Sequence, residues 1–409
     1  GPLACGSQGP YRPPVLSRRV PHDLEPNAWA RFLEQCRTAD TRLLDLSETN
    51  PTRVGLGGAG PEELAALAQA EGARYEPDAR GGRAAREAVA GYYAARGATV
   101  SPDHIVLTAS TSESYTHLFR LLADPGGVFL VPSPSYPLFE PLAALEGVNL
   151  RPYRLAYDGA WHLDRHSLEE SFAGEVRGVI VVQPNHPTGS CLEADERTLL
   201  EMLCERHGAA IIADEVFGDF PRPGRVAPLP SLVGGSRVPT FVLSGLSKVC
   251  GMPQMKLGWI VAGGPGAERD EALRGLEWIA DLFLSVSTPV QVALPALLAA
   301  RGAFQQRVRE RLAANLTRLD GLIARRPELQ VLPAQGGWGA VLRVPRQRSE
   351  EEWALGLLAR GVVVHPGHFY DIAGEGYLVL SLIPEPDLFD IRRSDHAFRY
   401  CNQKFIIMK

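Results

Sequence analysis

The sequence lacks the features that mark several large classes of protein. Its six cysteines are scattered through 409 residues without any paired spacing, which argues against a disulfide scaffold or a metal site and predicts a reducing compartment, the cytoplasm. A formal net charge of −5 gives no excess of positive charge that would favour nucleic acid or an anionic membrane as partner. With ordinary hydrophobic (45%) and charged (22%) fractions, these absences favour a soluble globular enzyme.

Long apolar segments are absent as well. The N-terminus has no apolar signal core, and the longest weakly polar stretch, residues 282–300, contains Ser, Thr, Gln and Pro, so it predicts buried structure rather than a membrane span. Residues 1–20 are rich in Pro, Gly and Arg and begin without Met, which predicts a flexible arm or a processed tag. Residues 391–409 fit no clean amphipathic helix and are interpreted as an atypical C-terminal tail.

Short apolar runs alternate with helical patterns from about residue 60 to residue 265. The strand candidates are residues 104–108, 128–131, 178–183, 209–214, 240–244 and 257–262. Continuously apolar strands separated by helices predict a mostly parallel sheet that is buried on both faces. The fold class is therefore predicted to be α/β, with helices flanking this sheet in a large domain at residues 61–289.

The last third of the chain has a different pattern. A long helical stretch at about residues 289–325 is followed by short strands mixed with helices, without the long alternating series seen earlier. This arrangement is typical of a smaller α+β domain. We assign residues 21–60 and 290–390 to that small domain, and the length of the chain is sufficient for both units.

Unusual polar residues follow the predicted strands of the large domain. Asp214 ends one apolar run, and Lys248 follows another, with Lys256 shortly after it. In parallel sheets ligands bind at the carboxyl ends of strands. A lysine whose charge is suppressed forms an imine with a carbonyl compound, and a buried carboxylate requires a cation such as a protonated pyridine nitrogen. The pattern suggests a Schiff-base site for an aldehyde cofactor that carries a phosphate.

Each of these residues also has an ordinary interpretation. Alone, Asp214 would be taken as a helix cap or ion-pair partner, and Lys248 as a surface lysine. Residues 110–112, Ser-Thr-Ser, begin a helical stretch where backbone N–H groups favour an anion, but Ser110 with Glu113 is also typical of a capping box. Lys256 is interpreted as a clamp on phosphate or as a solvated lysine, and Tyr136 as a ring on the cofactor or as loop packing.

Together these residues resemble the class I/II aminotransferases of the pyridoxal-phosphate-dependent fold type I superfamily, over about residues 45–390. The family's Asn-Pro-x-Asn-Pro-Thr-Gly motif is recognisable at residues 183–189, and its Asp-Glu-Val-Tyr motif at residues 214–217. Its Ser-x-Ser-Lys and Arg-x-Gly motifs are recognisable at residues 245–248 and 256–258. The resemblance implies pyridoxal 5'-phosphate as cofactor and an α/β large domain with a smaller α+β domain.

The resemblance also implies a role for each matching residue. Lys248 would carry the internal aldimine and move the proton between substrate and cofactor, and Asp214 would pair with the pyridine nitrogen. Tyr136 would stack on the ring, and Tyr75 would reach the phosphate across the interface of a homodimer with shared active sites. Hydroxyls and a cation would hold the phosphate: Ser110, Thr111, Ser112, Ser244 and Lys256. Three further residues would contact the cofactor from the two central motifs: Asn185, His186 and Phe217.

The sequence departs from the family pattern at several site positions. His186 stands where the family has an Asn that contacts the phenolic oxygen of the cofactor, and Phe217 stands where it has a Tyr that donates to the same oxygen. Loss of the Tyr hydroxyl is expected to raise the pKa of the imine, and His186 is a candidate replacement donor. Lys256 replaces an Arg, which keeps the charge but loses the bidentate fork.

The largest departure concerns the substrate. Val379 stands where the family places the Arg that holds the substrate carboxylate. Arg53 is a candidate substitute, with a surface arginine as the alternative interpretation. Trp338 and the segment around His368 are predicted to line the substrate side.

The sequence therefore predicts an aminotransferase that moves an amino group between an amino acid and a 2-oxo acid. The alternative is a lyase, decarboxylase or other non-transaminating enzyme on the same fold, because fold does not determine reaction. A non-catalytic module of a transcription regulator is disfavoured, since Lys248 is present and no basic helix-turn-helix extension is visible.

Overall fold

The computed structural model describes residues 17, 19–21, 25–39, 43–225, 229–324, 326–374 and 376–389. The predicted tail at residues 391–409 and nearly all of the predicted arm at residues 1–20 lie outside these ranges. No helix within the described ranges is both long enough and apolar enough to cross a membrane.

Helices and strands follow one another along most of the described chain. The helices are α1 Ala28–Thr38, α2 Pro61–Ala65, α3 Arg83–Ala94, α4 Thr111–Leu122, α5 Phe139–Glu146, α6 Arg165–Ser171, α7 Ala194–His207, α8 Leu246–Val249, α9 Gly266–Asp281, α10 Thr288–Ile323 and α11 Glu350–Leu358. The strands are β1 Leu44–Asp45, β2 Ile105–Thr108, β3 Val128–Ser133, β4 Asn149–Tyr157, β5 Trp161–Leu163, β6 Gly178–Val182, β7 Ala210–Asp214, β8 Thr240–Gly245, β9 Gly258–Gly263, β10 Gln330–Val331, β11 Gly339–Arg343, β12 Val362–Val363, β13 His365–Pro366 and β14 Tyr377–Ser381.

An eight-stranded sheet forms the centre of the large part of the molecule, in the order β2-β9-β8-β7-β6-β3-β4-β5. Strands β4, β3, β6, β7 and β8 pair in parallel, whereas β9 is antiparallel to both of its neighbours and β5 is antiparallel to β4. The prediction of a mostly parallel sheet flanked by helices is confirmed. Each of the six strand candidates corresponds to a strand of this sheet, but β4 and β5 were not predicted.

Alternate residues of the central strands enter two different apolar clusters. In β7, Ile211 and Ala213 pack on one face of the sheet with side chains of α3, α6, α7 and α10. Ala210 and Ile212 pack on the other face with side chains of α4, α5 and α9. Because both faces are covered, nearly every residue of β7 is apolar, which is why the strand could be read from the sequence.

A second core surrounds a smaller antiparallel sheet in the order β10-β11-β14-β13. The long helix α10 belongs to both cores: Leu294 and Leu297 pack in the first cluster, whereas Phe304 and Val308 pack in the second. The short strands β1 and β12 pair in parallel and bring the N-terminal segment to this second core. The domain boundaries given above stay a prediction.

Candidate active site

The carboxyl ends of neighbouring parallel strands meet at one edge of the large sheet. Asp214 ends β7, and Lys248 lies in α8, directly after the adjacent strand β8. Strand β9 is antiparallel, so the residues that precede it, including Lys256, lie at the same edge. This topology gathers residues that are far apart in the sequence.

A cavity of about 290 Å³ opens at this edge of the sheet. Nine predicted site residues line it: Ser110, Thr111, Ser112, Tyr136, His186, Asp214, Phe217, Lys248 and Lys256. The predicted residues therefore converge on one volume, together with apolar side chains such as Val182 and Val216.

The Asp214 carboxylate is held in place by two donors. Oδ1 accepts a hydrogen bond from the backbone N–H of Val216 (3.1 Å), and Oδ2 accepts one from the Tyr115 hydroxyl (3.1 Å). Burial nevertheless raises the pKa of Asp214 to about 6, although these hydrogen bonds and the charge of Lys248 act in the opposite direction. An oriented carboxylate that is costly to ionise is suited to a cationic partner.

Lys248 lies close to two aromatic rings. Its Nζ is 5.7 Å from the centre of the Phe217 ring and 5.2 Å from that of Trp338. Burial lowers the pKa of Lys248, and Asp214 partly opposes this effect. A lysine with a lowered pKa has a larger uncharged fraction at neutral pH, which is the form that attacks a carbonyl.

The N-terminus of α4 forms another wall of the cavity. The Ser110 side chain accepts from the Glu113 N–H (3.2 Å), whereas the Glu113 carboxylate accepts from the Ala109 N–H (2.6 Å). The first N–H groups of a helix have no intrahelical acceptor, and the helix dipole is positive at this end. Thr111, Ser112 and the exposed Lys256 complete a surface suited to an anion such as phosphate.

Two glycines allow the backbone segments beneath this wall to approach one another. A Cβ at Gly258 would lie 3.1 Å from the Ser244 carbonyl oxygen and 3.2 Å from the Ser110 backbone carbon. A Cβ at Gly245 would lie 2.9 Å from the Cα of Gly258. The Ser244 hydroxyl is fully buried here and has no hydrogen-bond partner among the described residues.

His186 occupies a pocket of rings within the cavity. The centre of its imidazole is 5.3 Å from the Tyr370 ring, 5.9 Å from the Phe217 ring and 6.1 Å from the Tyr136 ring. Burial and the nearby charges of Lys248 and His365 lower the pKa of His186 to about 3. The imidazole is therefore neutral at physiological pH.

The room for His186 comes from Gly339. A Cβ at Gly339 would lie 3.2 Å from Cε1 and 3.3 Å from Nδ1 of His186. These contacts are tighter than ordinary packing, so a side chain at position 339 would displace the imidazole.

Besides Ser244, five predicted residues lie outside the cavity wall. Asn185 is buried and donates to the Pro134 carbonyl (3.0 Å) and the Thr188 hydroxyl (2.9 Å), which fixes the loop that presents His186. Trp338 is buried behind Lys248. The other three are Arg53, which is 73% exposed and 3.5 Å from Glu48; His368, half-exposed beside Glu350; and Tyr75, which lines a separate cleft of about 50 Å³.

Two important residues were missed by sequence reasoning. Tyr115 lies on α4 and is 3% exposed, so its place in the sequence is that of an ordinary core aromatic. Gly339 begins β11, and nothing in the sequence links it to His186. Tyr115 reaches Asp214 because α4 packs on the large sheet, whereas Gly339 reaches His186 only because the small sheet packs against the large one.

These features fit a cofactor with an aldehyde, a ring nitrogen and a phosphate. Lys248 is the amine for the aldehyde, Asp214 is the carboxylate for the nitrogen, and the N-terminus of α4 with Lys256 is the surface for the phosphate. The unpartnered hydroxyl of Ser244 beneath that surface is consistent with a further donor to it.

Known proteins resemble this chain in both sequence and structure. The profile described as Aminotransferase class I and II matches residues 56–386. Tyrosine aminotransferase of Mus musculus is 28% identical over 378 residues, 89% of this chain and 82% of that enzyme. Glutamate-pyruvate aminotransferase of Escherichia coli is 27% identical over 265 residues, 63% of this chain and 64% of that enzyme, so the chain spans less than two thirds of this relative.

The fold is shared with solved structures as well. Alanine aminotransferase from Pyrococcus furiosus superimposes with a TM-score of 0.82 at 21% identity, covering 90% of this chain and 94% of that one. The chain therefore belongs to the class I and II aminotransferase family, fold type I enzymes whose cofactor is pyridoxal phosphate.

Proposed function

We propose that this protein is an aminotransferase that moves an amino group between an amino acid and a 2-oxo acid, with Lys248 as the catalytic residue. The observation that carries this proposal is the convergence of Lys248, Asp214 and the N-terminus of α4 on one cavity. The names of the relatives support amino transfer, since those aligned above are aminotransferases for tyrosine and for glutamate and pyruvate. A lyase is also among the relatives, S-alkyl-thiohydroximate lyase of Arabidopsis thaliana, but it aligns over only 49% of this chain and 43% of that enzyme, so the lyase alternative is less well supported.

Bound pyridoxal phosphate supplies an aldehyde that condenses with amines and a ring that withdraws electrons from the amino-bearing carbon. Lys248 would hold the cofactor covalently through this aldehyde. When its Nζ is free, it would take the proton from the amino-bearing carbon of the substrate and deliver it to the cofactor. Its lowered pKa favours both steps, because a base must be uncharged to accept a proton.

Asp214 has the complementary role at the far side of the ring. Its carboxylate would keep the ring nitrogen protonated, and the Tyr115 hydroxyl orients that carboxylate from α4. The pKa of Asp214 is raised by burial in the cofactor-free protein. A cation at this position offsets that cost, so the ion pair favours both cofactor binding and electron withdrawal.

His186 is the proposed donor to the phenolic oxygen of the cofactor. Phe217 has no hydroxyl to offer, and the imidazole is held neutral between aromatic rings. A neutral imidazole retains one N–H donor. His186 would thus supply one hydrogen bond where the resemblance implies an Asn and a Tyr.

Borohydride reduction followed by peptide mapping tests the role of Lys248. The chain has only four lysines, at positions 248, 256, 404 and 409, so the assignment of the labelled peptide is unambiguous. We expect the reduced cofactor on Lys248, and no label in a folded Lys248→Ala variant. A label on Lys256, or a Lys248→Ala variant with full turnover, would refute the proposal.

Half-reaction spectroscopy separates amino transfer from the lyase alternative. A transaminase given its amino donor alone loses the visible absorbance of the bound cofactor, and a 2-oxo acid restores it. A lyase recovers the visible band without any oxo acid while product accumulates. The second outcome would exclude transamination as the main reaction.

We also propose that the protein is a homodimer, with Tyr75 acting on the site of the other subunit. Tyr75 is 79% exposed, and large apolar side chains near its cleft are exposed as well: Trp278 at 68%, Leu282 at 64% and Phe283 at 50%. The cleft adjoins the cavity through Glu113, whose carboxylate accepts from the Ser285 hydroxyl (2.5 Å). Exposed apolar side chains of this size favour burial against a partner.

Subunit complementation tests that arrangement. Lys248→Ala and Tyr75→Ala subunits, each inactive alone, are co-expressed with different affinity tags and purified as mixed dimers. If Tyr75 acts in trans, one site of each mixed dimer has both residues intact, and about half of the wild-type activity per dimer returns. No recovery in mixed dimers that form normally would place Tyr75 in its own subunit's site.

A cytoplasmic location is a further proposal. The described residues include four free cysteines, Cys36, Cys191, Cys204 and Cys250, and three of these are buried, as is typical of thiols that stay reduced. Burial raises the pKa of the Cys191 thiol to about 12, which makes it unreactive. Cell fractionation with a cytoplasmic marker enzyme checks the location.

A further inference from the structure

The side chain at position 379 bears on which substrates the site accepts. Val379 is only 2% exposed and lies in the middle of β14, paired with Val341 on one side and His365 on the other. Its cluster contains Leu332 and Ile372. The surroundings of this position are thus apolar, and the side chain itself is uncharged.

Among the described residues, no other cation takes the place of the carboxylate-binding arginine that the resemblance implies. The cavity lining contains two cations, Lys248 and Lys256, and both already have roles in the proposed function. Arg53 is largely exposed and paired with Glu48. Arg222 is buried, but its guanidinium donates to the carbonyls of Gly337 and Gly339.

The imidazoles near the site favour their uncharged forms. His365, the strand neighbour of Val379, is hydrogen-bonded to the Tyr370 hydroxyl (2.8 Å), and burial lowers the pKa of His365. His186 is neutral for the same reason. A substrate carboxylate in this region would therefore meet neutral donors and apolar side chains, and would lose hydration without gaining an ion pair.

We propose that this site accepts amino donors with no carboxylate on the amino-bearing carbon, namely primary amines and the amides of amino acids. The inference rests on the proposed amino transfer and widens its substrate class. Where the resemblance implies a cation that selects the carboxylate, Val379 provides no such selection. Discrimination between an amino acid and its amine counterpart is therefore weak.

The reaction with an amine is balanced without any additional oxidant. The donor R–CH₂–NH₂ and the aldehyde form of the cofactor give R–CHO and the amine form of the cofactor. The C–N bond of the donor breaks with water supplying the carbonyl oxygen, and the two electrons removed from the donor carbon reduce the cofactor. Lys248 carries the proton between them, and a 2-oxo acid or aldehyde then accepts the amino group.

Single-turnover kinetics of the holoenzyme test the proposal. The loss of visible absorbance is followed with two matched series: phenylalanine, phenylalaninamide and 2-phenylethylamine, and alanine, alaninamide and ethylamine. An ion-paired carboxylate is worth ~10- to 100-fold in rate. We expect the amide and the amine of the better series to react within about ten-fold of the amino acid.

The outcomes distinguish this inference from the proposed function. If amino acids discharge the band and their amides and amines are more than about ten-fold slower, a carboxylate-selecting group exists and the inference is wrong. If no compound of either series discharges the band of the loaded enzyme, amino transfer itself fails and the inference falls with it.

A pair of variants at position 379 provides the matched control. Val379→Arg introduces the missing cation, and Val379→Met introduces a long side chain without charge. We expect the ratio of amino acid to amine rate constants to be ~10-fold higher in the Arg variant than in the Met variant. Equal ratios in two folded variants would refute the role of position 379, and the wild-type series decides the question if the Arg variant does not fold.

Discussion

Replacement of Asp214 by asparagine is expected to stabilise the cofactor-free protein while it weakens cofactor binding. The carboxylate is buried, and its two donors, Val216 and Tyr115, do not compensate fully, because the pKa is still raised to about 6. An asparagine side chain has nearly the same shape as the aspartate side chain that it replaces. Its Oδ1 can accept from the Val216 N–H, while its Nδ2 donates to the Tyr115 hydroxyl oxygen.

The magnitude follows from the pKa of Asp214. Between an ordinary value of about 3.9 and the folded value of about 6, each pH unit is worth about 1.4 kcal/mol, so ionisation costs the folded protein about 3 kcal/mol at pH 8. Because the folded pKa is raised, the folded state holds the proton more tightly. The stability that this tighter proton binding contributes is fully present below about pH 4 and is lost as pH rises through about 6.

Urea unfolding of cofactor-free protein at fixed protein concentration measures the effect. The Asp214→Asn variant should exceed wild type by about 3 kcal/mol at pH 8 and by about 1 kcal/mol at pH 4.5. Asp371→Asn is the control, since that carboxylate is exposed and its replacement should change stability by less than about 0.5 kcal/mol at either pH.

Cofactor binding should change in the opposite direction. Asp214→Asn removes the counter-charge for the ring nitrogen, so the variant should lose cofactor on dialysis under conditions where wild type and Asp371→Asn retain it. A cofactor-free Asp214→Asn protein no more stable than wild type at pH 8 would show that the carboxylate is not strained by burial, and the electrostatic reasoning would then be wrong.

Three further substitutions test individual contacts of the site. Tyr115→Phe removes a hydrogen bond to a carboxylate, so we expect about ten-fold weaker cofactor binding in equilibrium dialysis, whereas unchanged binding would mean that Val216 alone orients Asp214. Gly339→Ala forces a Cβ to 3.2 Å from His186 and should lower the free energy of unfolding by about 1–3 kcal/mol; a stability equal to wild type would show that the imidazole moves freely. Lys256→Gln should weaken binding of inorganic phosphate to the cofactor-free protein by about ten-fold at low salt and less at high salt, and a salt-independent change would exclude an electrostatic role.

The large sheet could be predicted because burial on both faces removes polar residues from its strands. The run from Ala210 to Asp214 is apolar up to its last residue, and the other predicted strands are similar. Strand β4 was missed because it lies toward the sheet edge, where its partly exposed residues include Arg151 and Arg154. Strand β4 therefore has no continuous apolar run, and its sequence pattern resembles that of a loop.

The sequence could predict those site contacts that follow from the order and direction of the strands alone. Residues at the carboxyl ends of neighbouring parallel strands must meet, which accounts for Lys248 and Asp214. Arg53 illustrates the limit, because its place near the cavity residue Thr49 in the sequence did not reveal that its side chain points to Glu48. Contacts such as that between Gly339 and His186 depend on how two separate cores pack, and no local pattern records that packing.

Three of the four departures from the family pattern, at positions 186, 217 and 379, leave the charges proposed for cofactor binding unchanged, and the fourth, Lys256 in place of Arg, keeps its charge. A phosphate and a protonated ring both require an opposite charge, which accounts for an acid at position 214 and a cation at position 256. At positions 186 and 379 the requirements concern shape. There His186 fits because residue 339 has no Cβ, and Val379 fits because its neighbours are apolar. If the proposed donor class is correct, this scaffold changes its donors without any change in the charges proposed to bind its cofactor.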